Sequence, residues 1–139
     1  MFILIVGAGK VGSNLAKIFS GKKHKVTLIE KSDFVCSKFA EIKDVNVICG
    51  DGCDLLVLQE AGIQAADVVA AVTGDDEDNL VVAQLAKLQP NRPKVVAVIN
   101  NPRNEWLYNK KWGIDAAVSN TAILTKIIEE EIYSTIQQV

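Results

Sequence analysis

Apolar residues in this chain fall into short unbroken runs separated by helical patterns, and the two alternate from one end to the other. "FILIV" at Phe2–Val6 predicts a strand covered on both faces, because no polar residue interrupts it. Val11 to Phe19 then places Leu15, Ile18 and Phe19 on one side of a helix. Lys25–Ile29 predicts a second strand, and Asp33 stands where it would N-cap a helix carrying Val35, Phe39 and Ile42. Val45–Cys49 predicts a third strand, followed by a helix from Asp54 to about Ala61. Asp67–Val72 reads as a fourth strand, with a helix from Asp76 through Leu88 that "QPNRP" breaks. Lys94–Ile99 is a fifth strand, "NPRNEWLYNKKWG" a short helix stopped by Gly113, and Ile114–Val118 a sixth strand. A last helix runs from about Thr121 into Gln137.

Strand and helix units repeating in this order, with strands such as "VVAAV" and "VVAVI", predict an α/β fold. It is a Rossmann-type, doubly wound, six-stranded parallel sheet with helices on both faces. No linker or low-complexity segment divides residues 1–139, so a single domain is expected.

In such a sheet, ligands bind outside the carboxyl ends of the strands, where the strand order reverses. "VGAGKVGSN" occupies the first strand-to-helix turn there. Gly7 permits the tight turn, Gly9 removes the Cβ that would block a pyrophosphate, and Gly12 lets helix and sheet pack closely. Ala8, Lys10 and Val11 complete the loop, whose helix N-terminus offers N–H groups and partial positive charge to an anion. A G-x-G-x-x-G alone is weak evidence, since turns also select glycine. Here it follows a strand, opens a helix, and is joined by Glu30 at the end of the second strand. A carboxylate there accepts hydrogen bonds from both ribose hydroxyls and repels a 2′-phosphate. The alternative for Glu30 is a solvated charge paired with Lys31, and Lys31 beside the ribose would soften the exclusion of NADP.

"CGDGCD" ends the third strand and brings Asp51, Gly52 and Cys53 to the same edge. Asp51 is placed to accept from an adenine amine, or else to cap the following helix. "VTGDDEDNL" ends the fourth strand, with Thr73 and Gly74 across the crevice. Its acidic run suits a helix N-terminus and lacks the ligand spacing of a calcium loop, so a divalent-cation site is the lesser reading.

Composition narrows the function. Hydrophobic residues at 49% against 23% charged exclude a disordered chain. A net charge of −2 with no basic block argues against nucleic-acid binding. "FILIV" is too short for a membrane span or a signal segment. Cys36, Cys49 and Cys53 form no C-x-x-C pair, and with His24 as the single histidine they make a poor zinc set. They are expected to act as reduced core thiols in a cytoplasmic setting, with Cys53 the exception nearest the ligand edge.

"ILIVGAGKVGSNLA", "VTLIEK", "VICGDGCDLLVLQEAGIQAADVVAAVTGDDEDNLVVAQLAK" and "WGIDAAVS" together resemble the N-terminal domain of Trk-type potassium-uptake regulators, also called the RCK or KTN domain. The resemblance covers essentially the whole chain, and the long middle block is its most specific part. It implies a cytosolic sensor that binds NAD(H) or ATP, ADP or AMP. It further implies a homo-oligomer, at least a dimer, that sits at the inner face of the cell membrane and gates a potassium channel or transporter. By the same resemblance, Gly7, Gly9, Gly12, Glu30, Asp51, Thr73 and Asn79 contact the ligand or form its crevice. One departure stands in "AVINNP", where Val98 replaces the family's common arginine and removes a cation from the phosphates; Lys10 is the candidate substitute. Many full regulators also carry a second ligand-binding domain, so the chain is expected to be either a fragment or a stand-alone domain.

Two other classes compete with the sensor. A small NAD-dependent oxidoreductase needs an acid or base near the nicotinamide and a substrate pocket. His24 precedes the second strand, at the wrong edge, and neither Tyr108 nor Tyr133 has a lysine four residues on. No enzyme activity is therefore expected. A ligand-free dimerisation module draws on Ile123, Leu124, Ile127, Ile128, Ile132 and Ile136 of the last helix, whose stripe either closes the core or meets another subunit.

Overall fold

Strand β1 (Phe2–Val6) sends Phe2, Leu4 and Val6 into one hydrophobic cluster and Ile3 and Ile5 into another, so both its faces are covered. The computed structural model describes residues 1–40 and 42–138. Around β1 the order of elements is α1 (Lys10–Gly21), β2 (Lys25–Glu30), α2 (Asp33–Phe39), β3 (Val45–Cys49) and α3 (Leu55–Glu60). There follow β4 (Val68–Ala71), α4 (Asp76–Lys87), β5 (Lys94–Ile99), β6 (Ala116–Ser119) and α5 (Asn120–Gln137). The strands are all parallel in the order β3-β2-β1-β4-β5-β6, with β1 in register Ile3 to Val68 on one side and Phe2 to Lys25 on the other. The expected doubly wound sheet is therefore present, and its order reverses between β1 and β4.

Ala16, Leu15 and Phe19 of α1 and Val35 and Phe39 of α2 pack on one face. Leu58 of α3 and Val82, Ala83 and Ala86 of α4 pack on the other. Leu4, Ile5, Leu28, Val69 and Val95 have essentially no exposed surface, and each such side chain contributes about 1.5–3 kcal/mol. Burial is thus greatest in the strands that flank the reversal point.

The structure departs from the pattern-based expectation in four places. Ser32, not Asp33, caps α2 by accepting from Val35 N–H at 3.3 Å, which leaves Asp33 in the first turn where its charge favours the helix dipole. That helix stops at Phe39; Ile42 lies in the turn beyond it, and Asp44 with φ 70° redirects the chain into β3. "NPRNEWLYNKKWG" forms two 3₁₀ turns, Pro102–Leu107 and Lys110–Trp112, each opened by an asparagine cap. Strand β6 begins two residues late because Ile114 N–H closes the preceding turn on the carbonyl of Asn109.

The last helix does not close the core of its own chain. Ile123, Leu124, Ile127, Ile128, Ile132, Tyr133 and Ile136 are each between 47% and 61% exposed, so within one chain the stripe closes nothing. Among the described residues no helix is long and apolar enough to cross a membrane.

Candidate functional site

At the reversal point the chain leaves β1 through Gly7, whose φ of 109° excludes most side chains, and whose missing Cβ would press on Thr73 N at 2.9 Å. Gly12 is equally constrained: a Cβ there would overlap the carbonyl oxygen of Gly7. Gly9 is different. It has φ −73°, and a Cβ built on it meets nothing within 4 Å. Its position is open because it faces a cleft of about 320 Å³ rather than protein. Gly9 also occupies the N-cap of α1 with no side chain to satisfy the first-turn N–H groups. Ser32, Asp54, Asp75 and Ser119 perform that task for α2, α3, α4 and α5, so among the described residues α1 alone of the α-helices lacks a side-chain cap.

Glu30 ends β2 on the adjoining wall. Its Oε1 accepts from Ala8 N–H at 2.9 Å and its Oε2 from Ser32 N–H at 2.9 Å, which ties the glycine loop to the start of α2. The alternative of a Glu30–Lys31 pair does not form; Lys31 instead approaches Asp78 at 3.9 Å, an exposed and therefore weak contact. Asp51 accepts from Cys53 N–H through Oδ1 at 2.9 Å, and Asp54 is the residue that caps α3, so both carboxylates of "CGDGCD" have defined places. Cys53 lines the cleft as a free thiol. Burial, with help from Asp78 and Asp51, pushes its thiol up to about 12, which leaves almost no thiolate at neutral pH.

The opposite wall is held by polar groups that pattern reading passed over. Asn79 is fully buried; it accepts from Thr73 N–H at 3.0 Å and donates to the carbonyls of Thr73 at 3.2 Å and Val98 at 3.0 Å. Its side chain therefore fixes Thr73 and joins β4 to β5 rather than facing the cleft. Asp76 accepts from Asn100 N–H at 2.7 Å, Asn101 N–H at 2.8 Å, and the side-chain amides of Asn100 at 3.0 Å and Asn104 at 2.8 Å. Burial alone would raise its carboxyl pKa, but these donors outweigh burial and hold it below the usual range. Tyr108 O–H donates to the Asp76 carbonyl at 2.7 Å; burial and then the Asp76 charge push this phenol up. A legible signal existed, since "NNPRN" just after a strand is rich in side chains that bond local backbone.

Gly7, Gly9, Glu30, Lys31, Asp51, Gly52, Cys53, Thr73 and Gly74 all line the one cleft, together with Gly50, Asp75 and Asp78. Ala8, Lys10, Val11, Gly12 and Asn79 stand behind or beside it. Lys10 is exposed at the start of α1, and Val98 is buried, so Lys31 is the cation on the cleft wall. Asp75 caps α4 and Asp76 turns toward the asparagines, while Asp75 and Glu77 stay within reach of each other. Among the described residues no three His, Cys, Asp or Glu side chains converge to hold a metal ion.

The expectation of three reduced core thiols is corrected. Cys36 and Cys49 are joined by a disulfide, with Cα atoms 6.1 Å apart. The helix after β2 and the end of β3 are spatial neighbours in this topology, so the juxtaposition was available from the strand order.

Residues 3–120 match the TrkA-N domain family, which is most of the chain. The chain belongs to that family. It is 40% identical over 132 residues to the Trk system potassium uptake protein TrkA of Mycobacterium tuberculosis (strain ATCC 25618 / H37Rv), across 95% of this chain and 60% of that protein. Thus the chain spans about 60% of the length of a curated relative it matches. Among solved structures, the Shewanella denitrificans Kef CTD in AMP-bound form superposes with a TM-score of 0.82 at 18% identity, over 98% of this chain and 82% of that one. The GsuK channel bound to NAD superposes at 0.74 and 20% identity, over 84% of this chain and 21% of that one. At these identities the structural likeness establishes the fold of this TrkA-N domain and no more.

Proposed function

We propose that this TrkA-N chain is the nucleotide-sensing part of a potassium-uptake regulator, with NAD(H) as the preferred ligand and AMP, ADP or ATP as weaker ones. The observation that carries the reading is the uncapped N-terminus of α1 beside an open Gly9 in the cleft. The sequence supplies a capping side chain to the other α-helices and withholds it where a phosphate oxygen would take that role. When bound, the nucleotide supplies the anion and the ribose diol that this chain otherwise lacks. Gly7, Gly9 and the first turn of α1 would hold the pyrophosphate, Glu30 the ribose, and Asp51 the adenine amine. Glu30, Asp51, Asp75 and Asp78 make the cleft acidic with Lys31 as the counter-charge, which disfavours a triphosphate relative to a dinucleotide. TrkA of Mycobacterium tuberculosis is a potassium uptake protein by name, and the Kef and GsuK structures are of those proteins bound to AMP and to NAD.

A regulatory rather than enzymatic role draws on the same cleft. Its thiol is held protonated, and His24 packs edge-on against Phe19 with centroids 5.9 Å apart, before β2 at the far edge of the sheet. The membrane partner and the cytoplasmic location at the inner face of the membrane follow from the potassium-uptake reading. Assembly with a second copy follows from the half-exposed isoleucines of α5, an apolar surface of the kind that marks a protein interface. Light scattering of the chain at high micromolar concentration should give at least a dimer mass. Ile132→Asp with Ile136→Asp should give a folded monomer, and a monomer mass for the parent would remove the helix from the interface.

Calorimetric titration of the parent and Gly9→Val with NAD, NADH, NADPH, AMP, ADP and ATP tests the ligand reading. Because Gly9 has an ordinary φ and open space, Gly9→Val should lose nucleotide affinity by about 100-fold or more while melting within a few degrees of the parent. Unchanged affinity in the variant would displace the phosphate cradle.

A further inference from the structure

Cys36 and Cys49 stand directly behind the wall that carries Glu30. Cys49 ends β3 in register with Glu30, and Cys36 lies in α2, whose capping Ser32 is held by Glu30 Oε2. Cys36 Sγ is 3.2 Å from the Glu30 carbonyl oxygen, and Gly50 N–H donates to that same oxygen at 2.9 Å. The Cα separation of 6.1 Å is within the range a disulfide spans without backbone movement. Cys36 is buried, whereas Cys49 is exposed and opens on a surface groove that also includes Asp33 and Ser37. Strand β3 is at the sheet edge, so it is hydrogen-bonded to β2 alone, and α2 has only 7 residues. A covalent tie between two such lightly held elements changes the stiffness of the segment between them.

We propose that Cys36 and Cys49 are a reversible thiol–disulfide modification site, with a small-molecule disulfide as oxidant, whose oxidation stiffens the ribose wall and tightens nucleotide binding. The Cys49 thiolate attacks one sulfur of the external disulfide; that S–S bond breaks and one small thiolate leaves. The Cys36 thiolate then attacks Cys49 Sγ, the protein disulfide forms, and the second small thiolate leaves. Two cysteine thiols are oxidised by two electrons, the external disulfide is reduced to two thiols, and those thiols carry away the two protons. Excess small thiol reverses both steps. Cys53 stays outside the exchange because its thiolate is suppressed. In the oxidised form α2 cannot lift from β3, so Ser32 N–H and Ala8 N–H keep Glu30 aimed; in the reduced form that restraint is gone.

The coupling half of this inference rests on the nucleotide reading above, and the test separates the two. The full chain is equilibrated with oxidised or with excess reduced glutathione, quenched with acid, unfolded in denaturant so that every free thiol is accessible, alkylated, and weighed by mass spectrometry. The reduced form should alkylate at Cys36, Cys49 and Cys53, and the oxidised form at Cys53 alone. Hydrogen exchange over 33–39 should slow on oxidation, and the melting temperature should rise by roughly 5–10 °C. NAD and AMP, titrated into each form, should bind about fivefold more tightly to the oxidised one, because the wall is pre-ordered. Cys36→Ser and Cys49→Ser should each abolish the exchange, melting and affinity differences, and Cys36→Ser should stop after oxidant as a Cys49–glutathione mixed disulfide visible by mass. Three alkylated cysteines after oxidant, or equal affinities with equal exchange, overturns the proposal. If neither form binds any nucleotide, the ligand reading and the coupling fall together. Alkylation and exchange then decide whether the cysteine pair is a redox site.

Discussion

Two stretches of the same sheet edge follow opposite designs. At the ends of β4 and β5, Asn79 and Asp76 gather backbone and amide groups from Thr73, Val98, Asn100, Asn101 and Asn104 into one hydrogen-bonded block. At the end of β1, glycines replace side chains and a helix begins without a cap. The first stretch satisfies most of its polar groups internally and serves as a fixed wall. The second leaves donors facing solvent, a state that costs little while water is present and becomes useful when an anion arrives. Polar residues at a strand end therefore do not by themselves mark a binding surface; the unspoken donors do.

The largest break in this contrast should come from Gly12→Val. Its Cβ has no space against the Gly7 carbonyl, so the β1–α1 turn cannot close. A loss above about 4 kcal/mol is expected in urea unfolding, enough to approach the whole stability of a small domain. Gly9 and Gly12 thus fail in different ways, one in binding and the other in folding.

Asp76→Ala comes next. It removes a buried carboxylate that accepts from four part-buried donors of Asn100, Asn101 and Asn104, and should cost about 2–4 kcal/mol, read from denaturant unfolding. The pH dependence follows from the sign of the shift. The folded pKa of Asp76 lies below its ordinary value of 3.8, so its contribution is complete above that value. It is lost as pH falls through the lower, folded pKa. Unfolding of the parent between pH 5 and about pH 2 should accordingly steepen more than that of Asp76→Ala. Equal acid slopes in the two chains would place the acid-sensitive group elsewhere.

Glu30→Gln should have the smallest effect and gives the sharpest view of the binding half. An amide keeps one acceptor for Ala8 or Ser32 N–H but loses the charge that repels a 2′-phosphate. We expect the parent to prefer NADH over NADPH by about tenfold, near 1.4 kcal/mol, and the variant to bring the ratio within about threefold. Equal affinities in the parent would leave Glu30 as a loop brace alone.

Strand runs, glycine spacing and the acid at the end of β2 were legible because each acts over one or two turns of chain. "FILIV" is buried on both faces for the reason its composition suggests, and Gly7, Glu30, Asp51 and Thr73 meet because parallel strands deliver their carboxyl ends to one edge. The wall formed by Asp76 and the asparagines was legible only in part: "NNPRN" marks side chains that bond local backbone, but not Asp76 as their partner. Its hydrogen bonds join residues 24 to 28 positions apart across a loop whose path no local period fixes. Asn79 shows the same limit from the other direction: the family resemblance implies a place at the crevice, but its inward orientation depends on Val98 in another strand. The Cys36–Cys49 bond went unread because cysteine spacing was weighed without the strand order that brings α2 onto β3.

Helix α5 has a mechanical consequence. Its 18 residues make a rod of about 27 Å that continues directly from β6 and is exposed throughout. Such a rod is a lever with its fulcrum at Ser119, the residue that both ends the strand register and caps the helix. A tilt of about 10° at that fulcrum carries the far end through about 5 Å, by the length of the rod alone. A movement at the base too small to disturb the sheet therefore arrives at Ile132 and Ile136 as a displacement about the size of a side chain.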